Sequence, residues 1–205
     1  MPKSTPSSKS NTESTRPRPE TSRQMRFAQT FAQVVGVLMR DPKFRHAKLT
    51  DLEWLVLPPL MSGQWRLGQG VLPLPGAKSS GKDGAKPEAP KDAGLVVPVA
   101  VALWASVSPE IDARLTDKLQ GPLPLAANEW ASGKQIWLTA VAGDPRYLPA
   151  FLVQLQEKEF KGRSVKVRGQ QADGKLAVLT LEELAAAFRR QADAPKSGPD
   201  PAAPK

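Results

Sequence analysis

The sequence predicts one α/β (α+β) domain, and three observations predict it. Helically spaced apolar residues alternate along the chain with short Val-rich runs. Helix-start signatures stand ahead of several helical stretches. Segments almost without apolar residues occupy both ends and one interior stretch, so the ordered part is one unit of about residues 25–190.

The elements follow in order. Phe27, Phe31, Val34, Val35 and Leu38 share one face of a helix over Met25–Met39, which Asp41-Pro42 stops. Thr50-Asp51-Leu52-Glu53 reads as a capping box. Behind it, Leu52, Leu55, Val56 and Leu60 supply a buried face, bent or ended by Pro58-Pro59. Gln64–Leu67 reads as a short strand, and Val96–Ala105 as its partner. Ser108-Pro109-Glu110 starts a helix: Ser caps, Pro fits the first turn, and Glu suits the positive end of the dipole. Ile111, Leu115 and Leu119 continue it. Gln135–Ala142 is a buried strand, and Tyr147–Phe160 a helix carrying Leu148, Phe151, Leu152 and Leu155. Ser164–Arg168 alternates as a half-buried strand, Asp173-Gly174 turns the chain, and Leu176–Leu179 returns. Thr180-Leu181-Glu182-Glu183 is a second capping box, opening a helix to Arg190.

Residues 1–24 form a basic tail expected to be disordered, 75–93 a low-complexity loop, and 191–205 a second disordered tail. The loop is tolerable because closure entropy grows only logarithmically with length.

Composition removes whole classes of chemistry. The 205 residues contain no cysteine and one histidine, His46. That excludes disulfide scaffolds, thiolate metal sites, cysteine nucleophiles and any site needing two imidazoles. The absence of cysteine suits a cytoplasmic location without requiring it. The longest apolar stretch, Leu95–Val107, is too short and interrupted to cross a bilayer, and the N-terminus lacks the apolar core of a secretory signal. The net charge is +9, but much of it sits in residues 1–26, where six basic residues face two acidic ones. Charge alone is therefore a weak argument for nucleic acid, and basic strands interleaved with aromatics, as single-strand stacking uses, are missing.

Three segments carry a resemblance. Leu57-Pro58-Pro59-Leu60 with Gly63-Gln64-Trp65-Arg66-Leu67 resembles the LPP…GQYRL block of the RTX toxin-activating lysine-acyltransferases. VALWASVSPEIDARL over residues 101–115 resembles that family's strand-to-helix block. NEWASGKQIWL over 128–138 is similar to its D-W-x-S-G-D-x-x-W block, with Trp130, Ser132, Gly133 and Trp137 in place. Their order and spacing agree as well.

The resemblance implies a GNAT-like fold, a mixed central sheet flanked by helices. It implies a cytoplasmic enzyme, often a homodimer, without a bound cofactor. Its donor is acyl-loaded acyl carrier protein, and its acceptors are internal lysines of an RTX-type protoxin. An ammonium has no lone pair with which to attack a thioester, so such chemistry needs a base. The family uses a His after the first helix, oriented with an Asp on the strand after the second Trp.

The chain departs from the family at both places. Phe44 occupies the His position within Pro42-Lys43-Phe44-Arg45, and Ala140 occupies the Asp position after Trp137. His46 is a displaced candidate base and Asp144 a displaced partner; the ordinary alternatives are an exposed loop His and a turn-forming Asp. Trp104, Trp130 and Trp137, with Ser132 and Gly133, are candidates for donor-side architecture, or simply for core. Lys158, Lys161, Arg163, Lys166 and Arg168 form a candidate docking face for acidic carrier protein, or a solvated surface. Two functions follow: a protein-lysine acyltransferase, or a catalytically inactive relative that binds carrier protein, protoxin or an active paralogue.

Overall fold

The computed structural model of the chain describes residues 19–73, 94–121, 125–171 and 173–193. The loop expected at 75–93 and most of both expected tails lie outside the described residues.

The first helix, α1 (Pro19–Leu38), begins inside the stretch read as tail. Pro19 and Glu20 are favourable first-turn residues, which accounts for the early start. Its C-terminal half buries Val34, Val37 and Leu38. Two short helices follow, α2 (Leu49–Leu55) and α3 (Leu57–Ser62). The capping box expected at Thr50 is not what starts α2. Lys48 takes the cap position, and its N–H donates to Asp51 Oδ2 at 2.7 Å. Pro58 and Pro59 sit in the first turn of α3, where a missing N–H costs nothing.

Five strands form one sheet in sequence order: β1 (Trp65–Pro73), β2 (Gly94–Val107), β3 (Gln135–Gly143), β4 (Val165–Gln170) and β5 (Leu176–Thr180). All neighbours are antiparallel except β3 and β4, which run parallel and pair only over Ile136–Leu138 and Val165–Val167. Helix α4 (Pro109–Asp117) joins β2 to β3, α5 (Leu148–Lys158) crosses from β3 to β4, and α6 (Leu181–Asp193) follows β5. A mixed sheet with helices on both faces and one short parallel pair is the GNAT-like arrangement expected.

The signals behind α4 and α6 hold. Ser108 Oγ accepts from Ile111 N–H. Thr180 N–H donates to Glu183 Oε2 at 2.7 Å, and Glu183 N–H returns to Thr180 Oγ1 at 3.2 Å. Helix α4 ends before Leu119, which therefore does not extend it.

Alternation sorts the side chains between the faces. Ala100, Ala102, Trp104, Ile136, Leu138, Val165 and Val167 face α5 and α6, where Trp104 meets Phe160 edge-on at 5.1 Å. Val101 and Leu103 face α1, α2 and α3. Strand β3 changes parity midway. Leu103 pairs with Ala140 and Trp104 with Leu138, so Thr139 is an extra, unpaired residue. Its Oγ1 donates to Leu103 O at 3.0 Å. This bulge places Trp137 and Ala140, an odd and an even position, on the same side of the sheet.

Candidate functional site

The turn after α1 is built on Asp41. Its backbone carbonyl accepts from Phe44 N–H and Arg45 N–H, while Oδ1 accepts from Lys43 N–H at 2.9 Å. This folds Phe44 back onto the helices. Phe44 packs against the apolar cluster of Val34, Val37, Leu55, Val56, Val101, Leu103, Ala140 and Ala142. The bulge at Thr139 delivers Ala140 to that cluster at 4 % exposure. The fold thus brings the two expected proton-transfer positions into one cluster, and both side chains there are hydrocarbon.

The displaced candidates stand elsewhere. His46 is exposed on the turn and makes no hydrogen bond or ion pair among the described residues. Asp144 follows the end of β3 and is clamped by Arg146, whose Nε and Nη2 reach its two oxygens at 3.0 and 2.6 Å. That side-chain pairing holds the Asp144 carboxyl below the ordinary aspartate range, against a smaller opposing effect of burial. Gly143 closes β3 at φ +149°, and a Cβ there would meet Val99 O at 2.4 Å.

A cleft of about 850 Å³ lies between the end of α1, the end of β3 with the start of α5, and α6. Asp41, Lys43 and Asp144 line it; His46 does not. Among the described residues, no group of three or more His, Cys, Asp or Glu side chains is placed to hold a metal ion.

The tryptophan block has a different role. Trp137 is fully buried, and its Nε1 donates to Asp112 Oδ1 at 2.7 Å. Asp112, on α4, also receives Lys166 Nζ at 2.8 Å, and that ammonium stands 5.8 Å from the Trp137 ring centre. Trp130 is buried beside Trp137, and its Nε1 has no partner among the described residues. Ser132 Oγ accepts Ser108 N–H at 3.0 Å and donates to Glu129 O at 2.9 Å, so it fastens the segment to the start of α4. Gly133 lies so close to the same place that a Cβ would meet Val107 O at 2.3 Å. Trp104 is core beneath α5. None of these five lines the large cleft.

The five basic residues do not share one face. Lys158, Lys161 and Arg163 are exposed where α5 turns into β4. Lys166 and Arg168 point from β4 towards α4. There Lys166 pairs with Asp112, and Arg168 donates to Leu115 O and Gly121 O at 3.4 Å each. Burial lowers the Arg168 pKa from its ordinary value.

Sequence reasoning passed over Asp41 and Asp112. Asp41-Pro42 signals only a helix stop, and Asp112 looks like an ordinary first-turn acid. Asp112 meets Trp137 on β3 and Lys166 on β4, and Asp41 reaches Gly143 on β3 beyond its own turn, so no local spacing announces these long-range contacts.

No curated protein matches the chain. The profile of the RTX toxin acyltransferase family matches residues 95–181. The matched span runs from β2 to the first residue of α6 and contains the Trp130–Trp137 block and the parallel β3–β4 pair. Over residues 95–181, and in the ordered motifs and the GNAT-like sheet, the chain is similar to the RTX toxin acyltransferase family.

Proposed function

We propose that this chain serves RTX toxin acylation as a non-catalytic member of its family. It binds acyl carrier protein, the protoxin or an active paralogue, and does not itself move the acyl group. One observation carries the reading: Phe44 and Ala140 pack into a single apolar cluster where the family's base and its orienting acid are expected. A thioester is attacked by a neutral amine, and carbon side chains cannot take the proton. Loss of one member of such a unit costs orders of magnitude in rate, so loss of both leaves little.

The exposed trio Lys158, Lys161 and Arg163 supports docking of an acidic carrier protein better than all five basic residues do, because Lys166 and Arg168 are engaged beneath α4.

A second reading keeps transfer from acyl carrier protein to internal lysines, with His46 as base and Asp144 as its partner. It draws on one observation: the 41–43 turn, close in sequence to His46, and Asp144 border the same cleft.

The test is binding measured beside turnover. Under the first reading, carrier protein binds with an affinity that falls as salt rises, Lys161→Glu with Arg163→Glu weakens it, and no acyl mass appears on the protoxin. Acyl addition that His46→Ala abolishes would establish the second reading instead.

A further inference from the structure

We propose that a cavity of about 200 Å³ between α2, α3 and residues 125–130 docks a proline-rich segment of a partner chain, one that carries an arginine beside its prolines. Trp54 and Trp130 both line the cavity, with Pro58, Leu125 and Glu53.

The two tryptophans differ in what their N–H groups do. Trp54 Nε1 donates to Asp51 Oδ1 at 3.4 Å, and the other oxygen of that carboxylate takes Lys48 N–H at 2.7 Å. Trp54 is half-buried, so part of its indole meets solvent. Trp130 is 1 % exposed, and its Nε1 is buried with no acceptor among the described residues. Buried polar groups are almost always paired, so an orphan donor in a cavity wall favours an acceptor supplied from outside.

The walls select that acceptor. The cavity falls below the range of roughly 300–1,000 Å³ usual for drug-sized ligands, so it suits one residue-sized group. An ordinary peptide unit would carry its own N–H into a wall of Trp, Pro and Leu, where that donor finds no partner. The amide before a proline brings a carbonyl and no N–H, and the pyrrolidine ring gives the indole of Trp54 an apolar face. A proline-rich segment is also extended before it binds, which lowers the ordering cost.

Charge selects the flanking residue. Helix α2 carries Asp51 and Glu53 and no basic residue. Glu53 is exposed at the cavity and makes no ion pair among the described residues. A guanidinium can meet its carboxylate through two hydrogen bonds and stack on an indole as well. The site is separate from the proposed carrier-protein surface, because neither Lys158, Lys161 nor Arg163 lines it. Failure of either proposal leaves the other standing.

The experiment titrates the full chain with three acetylated tetrapeptide amides: Pro-Pro-Pro-Arg, Pro-Pro-Pro-Glu and Ala-Ala-Ala-Arg. NMR follows the indole N–H signal of Trp130 and reads the affinities. The expected result is saturable binding of Pro-Pro-Pro-Arg that moves this signal, with each of the other two weaker by about fivefold or more. Glu53→Gln, at an exposed position, should weaken Pro-Pro-Pro-Arg about two- to fivefold and flatten its salt dependence. Trp54→Ala should weaken it by about tenfold or more. Should Trp54→Ala fail to fold, Glu53→Gln and the three peptides still decide. Equal binding of the three, no saturable binding, or binding that leaves the Trp130 signal unmoved overturns the proposal. Binding that appears only after Arg16→Glu with Arg18→Glu assigns the cavity to the chain's own Arg16-Pro17-Arg18, and overturns it too.

Discussion

Two regions of this molecule treat the expected motif residues in opposite ways. At the turn after α1, Phe44 and Ala140 stand where the resemblance expects a base and its partner, and they are carried into one cluster that offers no proton acceptor. In the Asn128–Trp137 segment Trp130, Ser132, Gly133 and Trp137 match the expected block, and the structure uses them as fasteners. Ser132 joins two loops, Gly133 permits a close backbone approach, and Trp137 hydrogen-bonds Asp112. The comparison separates two things a motif can mean. A retained motif can record what the scaffold needs, while loss of reactive groups leaves that scaffold intact.

Stability measurements test the comparison, beginning where the largest effect is expected. Trp137→Ala removes a fully buried indole and leaves Asp112 one donor short. It should cost about 3–5 kcal/mol in chemical denaturation. A loss below about 1 kcal/mol would mean that the block is not structural.

The emptied site is probed next. Ala140→Asp puts a carboxylate at a position of 4 % exposure and should cost about 3 kcal/mol when unpaired. Phe44→His in the same chain should return part of that loss, because an imidazolium there can meet the new carboxylate. A double-mutant cycle reads the coupling, expected at about 0.5–3 kcal/mol. Strict additivity would show that the two positions do not meet.

Gly133→Ala comes third, at about 1–3 kcal/mol, since the atoms its Cβ would strike belong to the backbone and cannot swing aside.

The smallest effect is an acid one. The hydrogen bond from Arg114, at 2.5 Å, and then the Ala126 N–H hold Glu129 below the ordinary glutamate range. A carboxyl depressed on folding adds stability above its unfolded value of about 4.3, and loses it as pH falls through the folded value. The melting temperature should therefore decline below about pH 4, and Glu129→Gln should make that decline shallower. An unchanged acid limb would detach Glu129 from the stability of the segment.

Much of this was legible before any coordinates. The second capping box, the Ser108 cap and the α5 face follow from local chemistry, and local chemistry survives folding. Thr50 misled because Asp51, one residue further on, could serve the Lys48 N–H better than Glu53 could serve a Thr cap. The site was legible only in part. Counting residues shows that Phe44 and Ala140 replace the expected pair, but not that they share a cluster. That depends on the extra residue Thr139, and a register shift between strands has no signature within one strand. The same limit hid Lys166 and Arg168. Their alternation with Val165 and Val167 showed that they face one way, but not that α4 covers that side.

The central claim is that no proton acceptor stands where the acceptor amine must lose its charge. Intact-mass measurement on an RTX-type protoxin, incubated with the native chain and acyl-loaded carrier protein, tests it most directly. The account predicts unmodified protoxin. A protoxin heavier by one acyl group on a lysine, made by the native chain alone, would contradict it.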